Sequence, residues 1–194
     1  MKIYLMRHGQ TTGDIEDRFG GDYDDHLTEL GKSQAEKLAG ELVGLNIEKI
    51  YYSPRIRVAE TASIIKNITN IPIESIDDLR ERNAYGVLTG QIKSEAKEEH
   101  PELIEILKDP TATISGAEDY GSFKDRIIKI LDNLSDSQAQ PVGIITHGGV
   151  ISCFLREIIG RERKKLDDCA LIELDYDGKK YNIVRSNGLE FQDL

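Results

Sequence analysis

The chain has 194 residues, of which 39% are hydrophobic, and a formal net charge of −10 at pH 7. This length fits one large domain with a continuous apolar core. The negative charge opposes binding to nucleic acid and to anionic membranes over most of the surface, so an anionic ligand would need a local cluster of cations.

Apolar periodicity in the first half of the chain predicts strands that alternate with helices. The run Lys2–Met6 is typical of a buried strand, and Arg7, His8 and Gly9 follow it directly. The next predicted elements are a helix over 29–45, a strand over 50–52, a helix with an apolar stripe at Val58, Ala62 and Ile65, and a strand over 71–76.

A charged segment punctuated by Gly and Pro interrupts this pattern from Leu79 to Gly121, with two polar helices predicted at 93–100 and 102–107. We interpret about 82–120 as a cap inserted into a single domain over residues 1–194. The pattern then returns with a helix through Phe123, Ile127, Ile130 and Leu134, a buried strand over 141–146, a helix over 150–159, and a hairpin of strands 170–176 and 181–185. This order predicts a three-layer α/β/α fold, in which helices cover both faces of a mostly parallel central sheet.

Two histidines occupy the same local setting. His8 and His147 each follow a predicted buried strand and each precede a glycine, which lets the backbone approach a ligand closely. Ligands of such sheets bind outside the carboxyl ends of the strands, so the two histidines would be neighbours if their strands are adjacent. A single histidine near the end of a strand is more often a structural residue than a catalyst, and this applies to His8 and to His147 taken alone.

The residues Arg7, His8, Gly9, Gln10 and Thr11 resemble the signature of the histidine phosphatase superfamily, also called the phosphoglycerate mutase-like family. Five further blocks follow in the order that the family shows, and together the blocks extend from Met1 to about Cys153. These blocks are Leu27, Thr28, Gly31, Gln34 and Ala35; Ser53, Pro54, Arg57, Thr61 and Ala62; Leu79, Glu81, Gly86 and Gly90; Gly116, Glu118 and Arg126; and Thr146, His147 and Gly148.

The resemblance implies phosphoryl transfer that needs no metal and no other cofactor. It assigns catalytic roles to His8, Glu81, His147, Arg7 and Arg57. His8 would attack phosphorus and become a phosphohistidine, while the two arginines keep its imidazole neutral by charge repulsion. The arginines and His147 would clamp the phosphoryl oxygens. Glu81 would protonate the leaving alkoxide and then activate water; the alternative for Glu81 is a solvated carboxylate between two arginines.

The resemblance also implies a set of substrate-binding residues. They are Arg7, Gln10, Asp14, Arg18, Gly20, Gly21, Arg57, His147 and Gly148. Many members of the family have Asn where this chain has Asp14, and a carboxylate there would repel phosphate. Asp14 is therefore expected to turn away, to pair with Arg18 or Arg7, or to meet a cation of the substrate. For the segment at Arg18, Gly20 and Gly21, a plain surface turn is an equally good interpretation.

Alternative functions follow from the same residues. A metal hydrolase would need closely spaced ligands, which the sequence lacks. A phosphoglycerate mutase is the alternative within the family, and hydrolysis is favoured because the chain ends soon after the hairpin, at Leu194. A binding module for phosphorylated ligands that has lost turnover is the third alternative.

The expected partner is a small phosphorylated metabolite, with no nucleic acid and no membrane. An edge hairpin could extend the sheet across a homodimer. The two cysteines, Cys153 and Cys169, are too few for a disulfide framework, and no apolar run approaches the roughly 20 residues that cross a bilayer. We therefore expect a cytoplasmic protein.

Overall fold

A computed structural model describes residues 1–135 and 141–192. Its strands are β1 (Lys2–Arg7), β2 (Lys49–Tyr52), β3 (Ile73–Ser75), β4 (Val142–Thr146), β5 (Arg163–Tyr176) and β6 (Tyr181–Phe191). Its α-helices are α1 (Thr12–Ile15), α2 (Glu29–Leu42), α3 (Ile56–Thr69), α4 (Lys93–Glu99), α5 (Pro101–Ile106), α6 (Tyr120–Ser135) and α7 (Gly148–Phe154).

The six strands form one sheet in the order β3-β2-β4-β1-β5-β6. The first four strands in this order are mutually parallel, whereas β5 runs antiparallel to β1, and β6 antiparallel to β5. In the pairing of β1 with β4, Arg7 lies opposite Thr146. Both histidines therefore leave the sheet side by side, at the edge where ligands of parallel sheets bind.

Alternate residues of β1 face opposite layers, as the pleat of a strand requires. Ile3 and Leu5 belong to a core shared with α6 and α7, and Tyr4 and Met6 belong to a second core shared with α2 and α3. All four side chains are at most 2% exposed. The predicted three-layer α/β/α fold with a mostly parallel sheet is confirmed.

The C-terminal hairpin is longer than predicted. Its first strand begins at Arg163 instead of Ala170, because the stretch from Arg163 to Leu166 pairs with the end of β6 although it lacks an alternating apolar pattern. The ladder shifts register between Leu166 and Leu171, which is typical of a β-bulge.

One short helix and several element boundaries also differ from the prediction. The loop after His8 contains the short helix α1, which begins with a capping box formed by Thr11 and Asp14. The helix predicted over 150–159 begins earlier, at Gly148, and its last part, Leu155–Ile159, is a π-helical turn. Of the other boundaries, the helix predicted over 29–45 ends at Leu42.

The segment predicted as a cap contains α4, α5 and one short 3₁₀ turn, Gly86–Leu88. A small apolar cluster of its own holds it together, built from Leu88, Ala96, Ile114 and, from the loop after α1, Phe19. This segment supplies one side of the cavity described below.

Candidate active site

His8 lies immediately after β1 and is 5% exposed. Its backbone amide donates to the carbonyl of Thr146 at 3.1 Å, which fixes the residue to the end of β4. The ring Nδ1 is 2.8 Å from the carbonyl of Gly9, and because a carbonyl only accepts, Nδ1 carries the proton and donates. The lone pair is therefore on Nε2, which accepts a hydrogen bond from Arg57 Nε at 3.3 Å.

His147 lies at the equivalent position after β4 and is completely buried. The centroids of the two imidazole rings are 5.3 Å apart, with an interplanar angle of 67°. His147 Nε2 is 2.7 Å from Ser53 Oγ. Its Nδ1 is buried and has no hydrogen-bond partner among the described residues. A buried ring nitrogen without a partner is rare, and it marks a position where a ligand can bind.

Arg57 projects from the first turn of α3 and is 4% exposed. Its Nη1 donates to Asp25 Oδ1 at 2.8 Å, and its Nη2 donates to the carbonyl of Gly21 at 2.9 Å. Together with the bond from Nε to His8, these contacts fix the plane of the guanidinium against the imidazole of His8. Asp25 was not predicted as a site residue; its only signal in the sequence was a run of acidic residues in the preceding loop.

Arg7 is the last residue of β1 and approaches the site from the other side. Its Nη1 donates to the carbonyl of Leu166 at 2.8 Å and forms an ion pair with Asp168 Oδ1 at 3.1 Å. Its Nε is buried and, within residues 1–135 and 141–192, has no acceptor. The site thus contains a buried N–H donor that no acceptor among the described residues satisfies.

The electrostatics of the site favour two neutral imidazoles. Burial, followed by the charges of Arg57 and Arg7, holds the pKa of His8 well below its usual value of 6.5. Burial also lowers the pKa of His147 well below 6.5, followed by the charges of Arg57 and of His8 itself. Both rings are therefore uncharged at neutral pH, and His8 keeps its lone pair.

Glu81 lines the same cavity as His8, and its carboxylate contacts the first turn of α7. Its Oε2 accepts from the amide of Gly149 at 2.9 Å, and its Oε1 accepts from the amide of Arg82 at 2.8 Å. The side chain of Arg82 turns away and donates to backbone carbonyls, including that of Pro110 at 2.9 Å. The carboxylate is thus held in place by the backbone and is not paired with the flanking arginines. Gly149 was not predicted as a site residue.

The remaining predicted residues divide into those inside and those outside the cavity. Arg18, Gly20, Gly21 and Gly148 line it, as does Asp14. Asp14 Oδ2 accepts from the amide and hydroxyl of Thr11, both at 2.9 Å, so this carboxylate is turned toward the cap of α1.

Gln10 is not among the residues that line the cavity. Its side-chain oxygen accepts a hydrogen bond from Thr28 Oγ1 at 2.9 Å, and its backbone amide donates to Gln34 Oε1 at 2.9 Å. Gln10 therefore joins the signature loop to α2, and its place in the signature reflects that structural contact.

The site opens into a cavity of about 620 Å³ between the sheet edge and the segment 82–120. In the described part of the chain, His, Cys, Asp and Glu side chains do not gather into any group of three or more that could hold a metal ion. Of the helices in residues 1–135 and 141–192, none combines the length and the apolar character that crossing a bilayer requires.

The fold and the site define an α/β protein in which two neutral imidazoles and two guanidiniums converge where adjacent parallel strands end. The model of the histidine phosphatase superfamily (branch 1) matches residues 3–188. The chain belongs to this superfamily, and the resemblance seen in the sequence motifs is confirmed.

Curated relatives include both phosphatases and a mutase by name. "Putative phosphoserine phosphatase 2" of Hydrogenobacter thermophilus is 28% identical over 198 residues, which cover 97% of this chain and 96% of the relative. "Probable phosphoglycerate mutase GpmB" of Escherichia coli is 28% identical over 186 residues, which cover 91% of this chain and 85% of the relative.

Solved structures share the fold. YhfR of Bacillus stearothermophilus has a TM-score of 0.86 at 23% identity, with 94% of this chain and 95% of that chain covered. A mycobacterial glucosyl-3-phosphoglycerate phosphatase, solved in complex with VO3, has a TM-score of 0.82 at 21% identity, with 94% and 96% covered.

Proposed function

We propose that this chain is a metal-independent phosphomonoesterase that transfers the phosphoryl group first to His8 Nε2 and then to water. The observation that carries the proposal is the state of His8. It is buried, its Nδ1 proton is committed to Gly9, and its Nε2 lone pair faces the guanidinium of Arg57. An imidazole held in this tautomer beside an anion-binding group is a nucleophile for phosphorus.

The lone pair of His8 Nε2 accepts the N–H of Arg57. An incoming phosphoryl group offers charged oxygens that compete for this N–H, and the lone pair then becomes available for attack. The buried Nε of Arg7 and Nδ1 of His147 are two further positions from which the equatorial oxygens can be bound. Positioned donors of this kind stabilise the charge that develops in the transition state.

Glu81 supplies the proton in the first step. The lone pair of Nε2 forms the bond to phosphorus as the P–O ester bond breaks, and the ester oxygen takes the proton of Glu81. In the second step water attacks the phosphohistidine, the P–N bond breaks, and the Glu81 carboxylate takes a proton from the water. The sum of both steps is hydrolysis of the ester to alcohol and phosphate.

The test is a screen of phosphomonoesters in the presence of a chelator, with His8→Ala as the matched variant. The proposal expects phosphate release that survives chelation and is lost in His8→Ala. Glu81→Gln should lower kcat more for esters with poor leaving groups than for aryl esters. Activity that requires a divalent metal, or that survives the loss of His8, would overturn the mechanism.

A mutase is the second candidate, and the similarity to a relative with that name favours it. It differs only in the acceptor, which would be a hydroxyl of a phosphorylated sugar acid instead of water. Measuring free phosphate and the isomerised ester from 3-phosphoglycerate in the same reaction decides between them. If the chain is a phosphatase, free phosphate is the main product.

A further inference from the structure

Arg163 is the first residue of β5, and its side chain lines the catalytic cavity. Its Nε donates to Ser152 Oγ at 2.5 Å, and that hydroxyl donates in turn to the carbonyl of Gly148 at 2.6 Å. The side chain of Ser152 thus connects the guanidinium of Arg163 to Gly148, the first residue of α7, which directly follows His147.

The other cations of the cavity are already neutralised or saturated. Five of them have a carboxylate partner: Arg7 with Asp168, Arg18 with Glu16, Arg57 with Asp25, Lys93 with Asp17, and Arg156 with Glu162. Arg82 donates to carbonyl oxygens. Among the described residues, Arg163 is the one cavity cation that has neither a carboxylate within ion-pair distance nor an acceptor for its terminal NH₂ groups.

The position of Arg163 is fixed before any ligand binds. Arg163 pairs with Phe191 in the hairpin, and Gln192 donates from its backbone to the carbonyl of Glu162 at 3.0 Å. The end of β6 therefore holds the backbone from which the side chain projects. A guanidinium that is preorganised in this way loses little conformational freedom when it binds an anion.

The surroundings of Arg163 indicate which part of a substrate it would meet. Burial, followed by the charge of Arg7, lowers the pKa of Arg163, and the charge of Glu81 acts in the opposite sense. Arg163 reaches the carbonyl of Gly148 through Ser152, and Glu81 Oε2 accepts from the amide of Gly149, so both side chains lie against the first turn of α7. Because Glu81 is the proposed proton donor to the ester oxygen, the alcohol portion of the substrate occupies this part of the cavity.

We propose, as an extension of the proposed phosphatase activity, that Arg163 binds a second anionic group on the alcohol portion of the substrate. The preferred substrates are then phosphomonoesters of alcohols that carry a carboxylate or a further phosphate. A forked guanidinium can bind either group with two parallel hydrogen bonds.

The first test compares three esters that share one carbon skeleton: glycerol 1-phosphate, 3-phosphoglycerate and glycerol 1,3-bisphosphate. The quantity measured is the ratio of kcat/KM for each anionic ester to kcat/KM for glycerol 1-phosphate. Arg163→Gln should lower this ratio by about 10- to 100-fold, as expected for a hydrogen bond between charged groups. Arg163→Lys should retain part of the preference for the anionic esters. A larger ratio for the bisphosphate than for the carboxylate identifies phosphate as the second group.

The matched control is Lys164→Gln, which removes the same charge from the neighbouring, exposed position of β5. It should leave the ratio unchanged. If Arg163→Gln instead lowers kcat/KM for all three esters by one common factor, Arg163 serves the structure of the site and the proposal is wrong.

The second test needs no turnover. Calorimetry measures the binding of phosphonocarboxylates of increasing chain length and of alkylphosphonates of the same lengths, in the wild type and in Arg163→Gln. If the wild type binds the phosphonocarboxylates more tightly than the alkylphosphonates and Arg163→Gln does not, this inference is supported. If in addition no ester releases phosphate, the proposed phosphatase activity is refuted while this inference stands. Ester hydrolysis with equal selectivity in wild type and variant would refute this inference alone.

Discussion

The carboxylate of Glu81 packs against Gly149 so closely that a methyl group added to Gly149 would lie 2.3 Å from Glu81 Oε1. Real side chains do not approach this closely, so any larger residue at this position must displace the carboxylate. The amide of the same glycine donates to Glu81 Oε2. One backbone position thus both leaves room for the proposed general acid and orients it.

Gly149→Ala should therefore impair catalysis by moving Glu81. We expect kcat/KM to fall by about 100-fold for alkyl phosphates, the lower end of what general acid catalysis contributes, and much less for aryl phosphates, whose leaving groups need no proton. The measurement is the dependence of kcat/KM on the pKa of the leaving group. Gly40→Ala, at a helical glycine where an added methyl meets no atom within 4 Å, is the control and should leave this dependence unchanged. An equal loss for all esters would contradict the role given to Glu81.

Ser53 should determine which nitrogen of His147 carries the proton. Ser53 Oγ accepts a hydrogen bond from the amide of Arg55 at 3.4 Å, so its hydroxyl proton is available for His147 Nε2. Nδ1, which has no hydrogen-bond partner among the described residues, would then be the protonated nitrogen. Nitrogen-15 NMR of labelled histidine should show the Nδ1–H tautomer, and Ser53→Ala should mix the tautomers and lower kcat by about tenfold, the effect of one hydrogen bond. Finding the Nε2–H tautomer in the wild type would disprove this assignment.

The free energy of unfolding should fall as the pH decreases below about 6.5. The pKa of His8 and of His147 lies well below that value in the folded protein, so the unfolded chain binds protons that the folded chain does not. The slope from each histidine reaches at most about 1.4 kcal/mol per pH unit. Urea denaturation of the wild type and of His8→Ala at several pH values between pH 7 and pH 5 measures how the free energy of unfolding changes with pH.

His8→Ala should reduce this slope, whereas His26→Ala, which removes an exposed histidine, should retain it. If the slope in His8→Ala equalled that of the wild type, the folded protein would bind a proton at His8 in this range, contrary to the buried, neutral state described above.

Asp25→Ala should destabilise the fold and weaken substrate binding together. The ion pair of Asp25 with Arg57 is buried, with side-chain exposures of 8% and 5%, and removing one partner of a buried pair costs about 3–5 kcal/mol. Asp24→Ala is the matched control, because the neighbouring carboxylate is 45% exposed and lies 3.7 Å from Arg55. Thermal unfolding and KM are the measurements. Equal effects of the two substitutions would show that the buried pair has no special role.

The sequence predicted the parts of the site that lie on regular elements. His8 and His147 each directly follow an apolar strand. Because that pattern is local, both can be identified from the sequence without knowing that their strands are neighbours. The parallel sheet followed from the alternation of strands and helices. Glu81 was assigned through the family motif alone, since a glutamate between two arginines has no distinguishing local pattern.

The partners of these residues could not be predicted, because they depend on contacts between distant segments. Asp25 reaches Arg57 from a loop of no periodic pattern, and the tight fit of Gly149 depends on where Glu81 lies. Arg163 begins a strand whose charged sequence has low β propensity, and only its pairing with β6 makes it a strand. For the same reason, the hydrogen bonds of Gln10 with Thr28 and Gln34 could not be predicted.

Direct detection of the phosphorylated enzyme tests the central claim. The protein is mixed with a phosphomonoester, quenched in alkali, in which phosphohistidine is stable, and its peptides are analysed by mass spectrometry. The account predicts a phosphoryl group on His8, absent from His8→Ala and accumulating in Glu81→Gln with an aryl ester. Phosphate release by the wild type while no phosphoryl group appears on His8, or with the group on another residue, would contradict it.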